Sequence, residues 1–446
     1  MRLEIRKMGI NGEGIGYDHG KPVFIKGALM HEIVDVQIEK EFERYKIGKL
    51  LKIIKKSNER IKPLCPYQAK CGACSLMHTN YQNQLRYKKH VLKQALKKYA
   101  DIEMPINIIP SENPFYYRNK LKLPFNMNND GSIVTGMYEV DTNHFKTIGN
   151  CIIHEEILEK VRKEILSIMN KYQLKAYDEK TKEGYRTLIM RTFNGKISLV
   201  FVVGDNTDIN IMLSDLSKIG EISSIYYTIN TNKKYINAME NELVHIYGKK
   251  VLNAKIAGLK LVFTPKSFYQ LNTRQSEVLY NEVISYLDES DEEVLEAYCG
   301  VGVMSLLASK KVKHVTGVEI IPDAIDNASK NAFYNKITNV DFIVGDSGTI
   351  MEENFKDKKL DCLIVDPPRT GLDEKMLASI IKSEVKKIIY VSCNPSTLAK
   401  NINDLKDYYK VSSIKAIDIF SQTEHVETIA LLFKLKTDKH IDCDEC

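Results

Sequence analysis

The C-terminal half of this chain leaves little freedom in its fold. Between residues 251 and 436, short apolar runs recur at Val294–Tyr298, His314–Ile320, Val340–Val344, Cys362–Val365 and Lys387–Val391, with helix-like segments between most of them. Continuous apolar strands alternating with helices bury both faces of a parallel sheet, so the pattern predicts an α/β, doubly wound domain. Ligands in such sheets bind beyond the carboxyl ends of the strands. The residues of chemical interest fall there.

The first strand–helix turn carries Tyr298-Cys299-Gly300-Val301-Gly302. Its glycines let a ligand approach the backbone beside a helix N-terminus. Only G-x-G is present, so the dinucleotide fingerprint is incomplete. Glu319 ends the next strand, where an acid can take a ribose diol. Turn plus acid predicts a ligand containing adenosine. Cys299 itself reads as core. Asp366-Pro367-Pro368-Arg369 follows another strand, and its prolines fix the carboxylate at the sheet edge. Ser392-Cys393-Asn394-Pro395 repeats that arrangement and places Cys393 as a nucleophile candidate. Glu427 precedes the last apolar run, Ile429–Phe433.

The first quarter of the chain differs in character. Residues 1–125 hold 24 Lys/Arg against 12 Asp/Glu, a balance of +12, while the whole chain carries +6. A basic module of this kind suits a polyanion, because neutralising phosphates releases counterions. A solvated lysine-rich surface is the plain alternative. Residues 1–57 show short strands between glycines and predict a small barrel of the OB type. Residues 58–250 are mixed. Asn80–Ala100 has helical spacing and carries Arg86, Lys88, Lys89, Lys93, Lys97 and Lys98 without one acid, which strengthens the polyanion reading. At Tyr116–Lys122 aromatic and basic residues interleave, as suits stacking on bases or an amphipathic strand.

Three of the nine cysteines form C-x5-C-x2-C at Cys65, Cys71 and Cys74. Thiols at this density suit metal ligation, with Cys151 or His78 as the fourth ligand. Spacing alone leaves zinc and an iron–sulfur cluster both open. Cys443 and Cys446 form a C-x-x-C at the C-terminus and read as frayed and uninvolved.

With 446 residues, two or three domains are expected, and 43% hydrophobic with 27% charged residues argues against extensive disorder. The N-terminal sequence has no apolar h-region and no run approaches a membrane helix. A cytoplasmic, membrane-free protein is therefore expected, with its cysteines in a reducing compartment.

Taken in order, these motifs resemble the RNA uracil-C5 methyltransferase family, which uses S-adenosylmethionine. Phe263–Asn272 adds the family's F-x-Q-x-N pattern, and His425-Val426-Glu427-Thr428 its last motif. The resemblance implies an N-terminal OB-like TRAM β-barrel (1–57), a mixed α+β central domain (58–250) and a Rossmann-like class I methyltransferase domain (251–446). It implies a [4Fe–4S] cluster on Cys65, Cys71, Cys74 and Cys151. It also implies cofactor contacts from Gln270, Tyr298, Glu319 and Asp366, with Glu319 on the ribose. Cys393 becomes the nucleophile and Glu427 the base. Two departures are visible: Glu296 stands where the family usually has Asp, and Val303 where a small hydroxyl residue is common.

The residue types suit that chemistry. Uracil C5 is a poor nucleophile until a thiolate adds to C6 and makes an enolate. After methyl transfer a base must remove the C5 proton. The target uridine leaves its stack to reach such a pocket, where Phe268 either stacks on it or packs into the core. The TRAM-like barrel and the cysteine cluster together resemble the ribosomal branch, so 23S ribosomal RNA is the expected substrate, with transfer RNA the alternative. An exocyclic-amino methyltransferase, which needs no cysteine, and a non-catalytic RNA-binding factor are the remaining readings. A monomer is expected.

Overall fold

The computed structural model describes residues 1–139, 142–232, 238–355 and 359–435. The chain forms two compact units. One comprises residues 1–91, 110–278 and 418–425; the other comprises 92–109, 279–417 and 426 onwards. Cys443 and Cys446 lie outside the described residues.

In the first unit, β1 (Arg2–Glu4), β2 (Lys7–Met8), β3 (Gly14–Asp18), β4 (Lys21–Ile25), β5 (Ile33–Glu41) and β6 (Lys46–Lys55) make one sheet in the order β1-β5-β6-β4-β3-β2. The two end strands are consecutive pieces of one segment, residues 2–8, so the sheet curls closed and hides its edges. Alternate residues of β5 point inward, as its apolar/polar alternation requires. Leu3, Ile5, Val23, Ile25, Val34 and Val36 fill the interior.

After the short helix α1 (Gln68–Cys71), α2 (Tyr81–Ala100) and β7 (Asn107–Ile109), a second sheet is built. It comprises β8 (Lys120–Met127), β9 (Ile133–Tyr138), β10 (Phe145–Thr147), β11 (Tyr185–Phe193), β12 (Lys196–Val203), β13 (Ile222–Ile229) and β14 (Val244–Gly248), in the order β10-β9-β8-β11-β12-β13-β14. Helix α3 (Glu156–Lys171) buries Leu158, Val161, Ile165 and Met169 against one face, with the short α4 (Leu213–Leu216) beside it. Ile189, Val200, Val202 and Tyr226 form a separate apolar cluster. The hairpin β15 (Leu252–Ile256) and β16 (Leu259–Phe263) follows.

The basic helix α2 reads differently in three dimensions. Lys88 is fully buried and ion-paired to Asp418, and it also donates to the Phe420 carbonyl at 2.9 Å. Lys97 pairs with Asp101 and Glu103, and Arg86 with Glu59. For these three cations the acids absent from the helix come from elsewhere in the chain, whereas Lys93 and Lys98 remain exposed to solvent. Lys88 in particular is a structural residue.

Beyond α5 (Thr273–Ser285), the second unit holds an eight-stranded sheet in the order β19-β18-β17-β20-β21-β23-β22-β7. Its strands are β17 (Glu293–Ala297), β18 (His314–Glu319), β19 (Val340–Val344), β20 (Cys362–Val365), β21 (Lys387–Ser392), β22 (Tyr409–Ile417) and β23 (Glu427–Lys434), with β7 at the far edge. Strands β17 to β21 run parallel and β23 inserts antiparallel between β21 and β22. Helices α6 (Val303–Ala308), α7 (Pro322–Asn335), α8 (Ser347–Phe355), α9 (Glu374–Ser383) and α10 (Pro395–Leu405) make the connections. This is a doubly wound α/β sheet. Its order reverses between β17 and β20, the position at which such sheets open a ligand crevice.

Candidate active site

Strand register puts the singled-out residues along one edge of the second unit. Ala297 pairs with both Val318 and Val365, so the next residues, Tyr298, Glu319 and Asp366, leave three adjacent strands side by side. Val365 pairs with Tyr390 on the neighbouring strand, three residues before Cys393. Ser392 pairs antiparallel with Thr428, so Cys393 and Glu427 are next in register across β21 and β23.

The turn after β17 is built for close approach. Tyr298, Gly300 and Gly302 have φ of 64°, 55° and 79°. A Cβ on Gly302 would stand 2.7 Å from the Phe342 ring, whereas one on Gly300 would meet nothing within 4 Å. Glycine at 302 is thus required for packing, and Gly300 borders open space. The Glu319 carboxylate accepts from the Gly300 amide at 3.2 Å and the Ile321 amide at 3.1 Å, and stays half-buried. Glu296, in the unusual position, is 1% exposed and accepts from the Ser305 hydroxyl. Burial pushes its carboxyl up to about 8, with Asp366 and Glu319 adding to the rise. Cys299 is core, as expected, and burial holds its thiol neutral.

At the other end of the row, burial pushes the Cys393 thiol up to about 11; the Glu427 charge adds to this and Arg369 opposes it. Glu427 is 2% exposed. Its carboxyl is driven well above the ordinary carboxylate range by burial and then by Asp366, again against Arg369. Burial raises Asp366 to about 7. A half-buried thiol and two carboxyls, one of them fully buried, therefore lie close enough to raise one another, with the exposed Arg369 opposing the rise.

Arg369 is the member that sequence reasoning passed over. Its loop is tied to the cysteine's loop: Asn394 Nδ2 donates to the Arg369 carbonyl at 3.0 Å and Thr397 Oγ1 at 3.3 Å. Asn394 also caps α10, accepting from the Ser396 amide at 3.0 Å. The signal was the sequence Asp-Pro-Pro-Arg itself, which puts a cation three residues from the carboxylate.

The remaining predicted residues lie in the first unit. Gln270 is buried, and its backbone carbonyl accepts from Asn119 Nδ2 at 3.0 Å. Phe268 is 69% exposed, which rules out core packing. Cys65, Cys74 and Cys151 belong to one small cluster with Met77, Tyr117 and Ile153. Burial raises the thiols of Cys65, Cys71 and Cys74, and the charge of Cys151 adds to it at each. At Cys151, burial is outweighed by a hydrogen bond with His154, and the thiol is lowered. Among the described residues no three His, Cys, Asp or Glu are placed to hold a single metal ion. His78 is buried and held neutral, its pKa lowered to about 4 by burial.

Residues 80–435 match the family described as tRNA (Uracil-5-)-methyltransferase, and residues 1–51 match the TRAM domain. The chain belongs to the uracil-5 RNA methyltransferase family. An RNA methyltransferase of Clostridium tetani is 38% identical over 96% of this chain and 95% of its own length. One from Enterococcus faecalis is 36% identical over 96% of each. The Pyrococcus abyssi tRNA (uracil-54, C5)-methyltransferase, solved with S-adenosyl-L-homocysteine, covers 97% of this chain and 100% of its own at 24% identity, with a TM-score of 0.78. That likeness is one of fold. Membership makes the chain an S-adenosylmethionine-dependent enzyme acting on RNA, and no helix among the described residues is long and apolar enough to cross a membrane.

Proposed function

We propose that this enzyme methylates C5 of a uridine in 23S ribosomal RNA. The observation that carries the reading is the register of Cys393 against Glu427 beside Asp366 and Arg369. Cys393, as thiolate, adds to uracil C6, and the enolate so formed takes the methyl group from the cofactor's sulfonium. Glu427 accepts the C5 proton, the C5–C6 double bond re-forms, and Cys393 leaves. Arg369 acts on both Cys393 and Glu427 and stabilises the anionic form that each needs. Tyr298, Glu319, Asp366 and Gln270 hold the cofactor, Glu319 through its ribose.

We assign Cys65, Cys71, Cys74 and Cys151 to a [4Fe–4S] cluster. The donor set supports this: Cys65, Cys74 and Cys151 share one small cluster, and Cys151 is close enough to act on Cys65, Cys71 and Cys74, as Arg118 is on Cys71 and Cys74. The methyl transfer is polar and needs no electron, so the cluster's role is structural or in placing RNA. Residues 1–57, 58–250 and 251–446 act as barrel, cluster and methyl-transfer modules of a cytoplasmic monomer.

The combination of TRAM barrel and cysteine cluster favours ribosomal RNA over the T-loop of transfer RNA. Mapping 5-methyluridine in both RNAs from a deletion strain tests the choice. Loss of a 23S methyl group is expected; loss confined to the T-loop overturns the assignment.

A further inference from the structure

Three polar side chains follow one another along a single face of α10, at spacings of three and four: Asn394, which caps the helix, then Thr397 and Asn401. All three bond the backbone of the loop that follows β20. Asn394 Nδ2 and Thr397 Oγ1 donate to the Arg369 carbonyl at 3.0 Å and 3.3 Å. One turn farther on, Asn401 Oδ1 accepts from the Leu372 amide at 2.8 Å, and Asn401 Nδ2 donates to the Leu372 carbonyl at 3.3 Å. The Tyr390 hydroxyl donates to the same Oδ1 at 2.8 Å, from the strand that leads into Cys393. Tyr390 and Asn401 are both buried. The loop lies tight against the helix. The Gly371 amide donates to the Pro368 carbonyl at 2.9 Å, and Gly371 has a φ of 82°. A Cβ there would stand 2.5 Å from Asn401 Oδ1 and 3.1 Å from Thr397 Cβ, so another residue would push the loop off the helix.

The segment held in this way carries an exposed arginine. A long exposed side chain keeps its charge in one place only when the backbone beneath it is fixed. We propose that Thr397 and Asn401 are positioning residues for the reaction at Cys393, fixing the Arg369–Leu372 segment so that the Arg369 guanidinium stays against the cysteine sulfur. Burial and then Glu427 raise the Cys393 thiol, and Arg369 opposes them through its charge and a hydrogen bond. Asp366, from the loop that carries Arg369, adds to the rise, and Tyr390 faces the thiol from its own strand. Of these groups Arg369 alone is a cation, so the thiol's ionisation follows its placement. The inference rests on the proposed role of Cys393 and on no particular RNA.

The test is alkylation of Cys393 by iodoacetamide in the full-length protein without RNA or cofactor, with the modified peptide read by mass spectrometry. Below its pKa, a thiol reacts about tenfold more slowly for each unit by which that pKa rises. Arg369→Ala should slow alkylation about tenfold. Thr397→Val keeps the side chain's shape and loses its hydroxyl; it and Asn401→Leu should each slow alkylation about threefold. Thr397→Ser should restore the wild-type rate. In an Arg369→Ala background neither substitution should slow the reaction further, because both act through the arginine. Unchanged alkylation in Thr397→Val and Asn401→Leu, no recovery in Thr397→Ser, or full additional slowing in the Arg369→Ala background overturns the proposal and leaves the two side chains structural. A methyl group found on an atom other than uracil C5 would contradict the proposed reaction and leave these rates as predicted.

Discussion

Cys393 and Glu427 stand opposite each other, one step beyond the last paired residues, Ser392 and Thr428, of two antiparallel strands. A thiol at the end of one strand, the proposed nucleophile, thereby comes opposite a carboxyl at the start of another, although 34 positions separate them in sequence. The two groups act at opposite ends of the proposed reaction, so their variants should fail differently. Cys393→Ala should abolish turnover and any covalent linkage to RNA. Glu427→Gln should lower turnover by about 10²–10⁴ and leave a protein–RNA adduct stable on a denaturing gel.

Activity should rise with pH. Burial pushes the Cys393 thiol up to about 11, so it is protonated near neutrality, and it raises the Glu427 carboxyl well above the ordinary carboxylate range, while the proposed reaction uses the ionised form of each. The value of kcat/KM for RNA should climb from pH 6 to pH 9 without an early plateau. Arg369→Ala removes the opposing cation and should move the climb to higher pH. A profile flat between pH 6 and pH 9 contradicts this assignment of groups.

Glu296 gives a stability prediction of defined sign. Its carboxyl titrates near 8 when folded against 4.5 for the free group. Unfolding therefore releases a proton between those values, and the native state loses stability as pH rises through that window. Glu296→Gln removes the penalty and should stabilise the protein at pH 7 by on the order of 3 kcal/mol. The advantage should vanish below about pH 4, as read from denaturant midpoints across pH.

The buried Lys88–Asp418 pair should behave as such pairs do. Tyr81 and Ser421 each donate to the second Asp418 oxygen at 2.6 Å, so the aspartate is well satisfied only while Lys88 is present. Lys88→Met should cost about 3 kcal/mol, and adding Asp418→Leu should recover part of it, because a lone buried charge is worse than none. Urea denaturation of the single and double variants measures both values.

Much of the sheet was legible in the sequence because its strands are continuous apolar runs. The five parallel strands lie where those runs do, and their carboxyl ends carry Tyr298, Glu319, Asp366 and Cys393. Long-range pairing was not legible. Nothing local shows that Asn107–Ile109 joins the edge of the methyltransferase sheet beside β22, or that Asp418 neutralises Lys88 across 330 positions. Charge on a helix reads as a face for partners until the counter-charge is found elsewhere in the chain.

The cysteine assignment has a direct readout. Protein purified without oxygen should be brown and hold about four iron atoms per chain. Cys151→Ala should lose the colour. Bound zinc without iron contradicts the cluster.

The central claim is methylation at uracil C5 through removal of the C5 proton. Incubating the enzyme with methyl-labelled S-adenosylmethionine and RNA carrying tritium at uracil C5 reads both events together. One tritium released to water for each methyl group transferred is the predicted result. Methyl transfer without tritium release would place the new group on another atom and contradict the account.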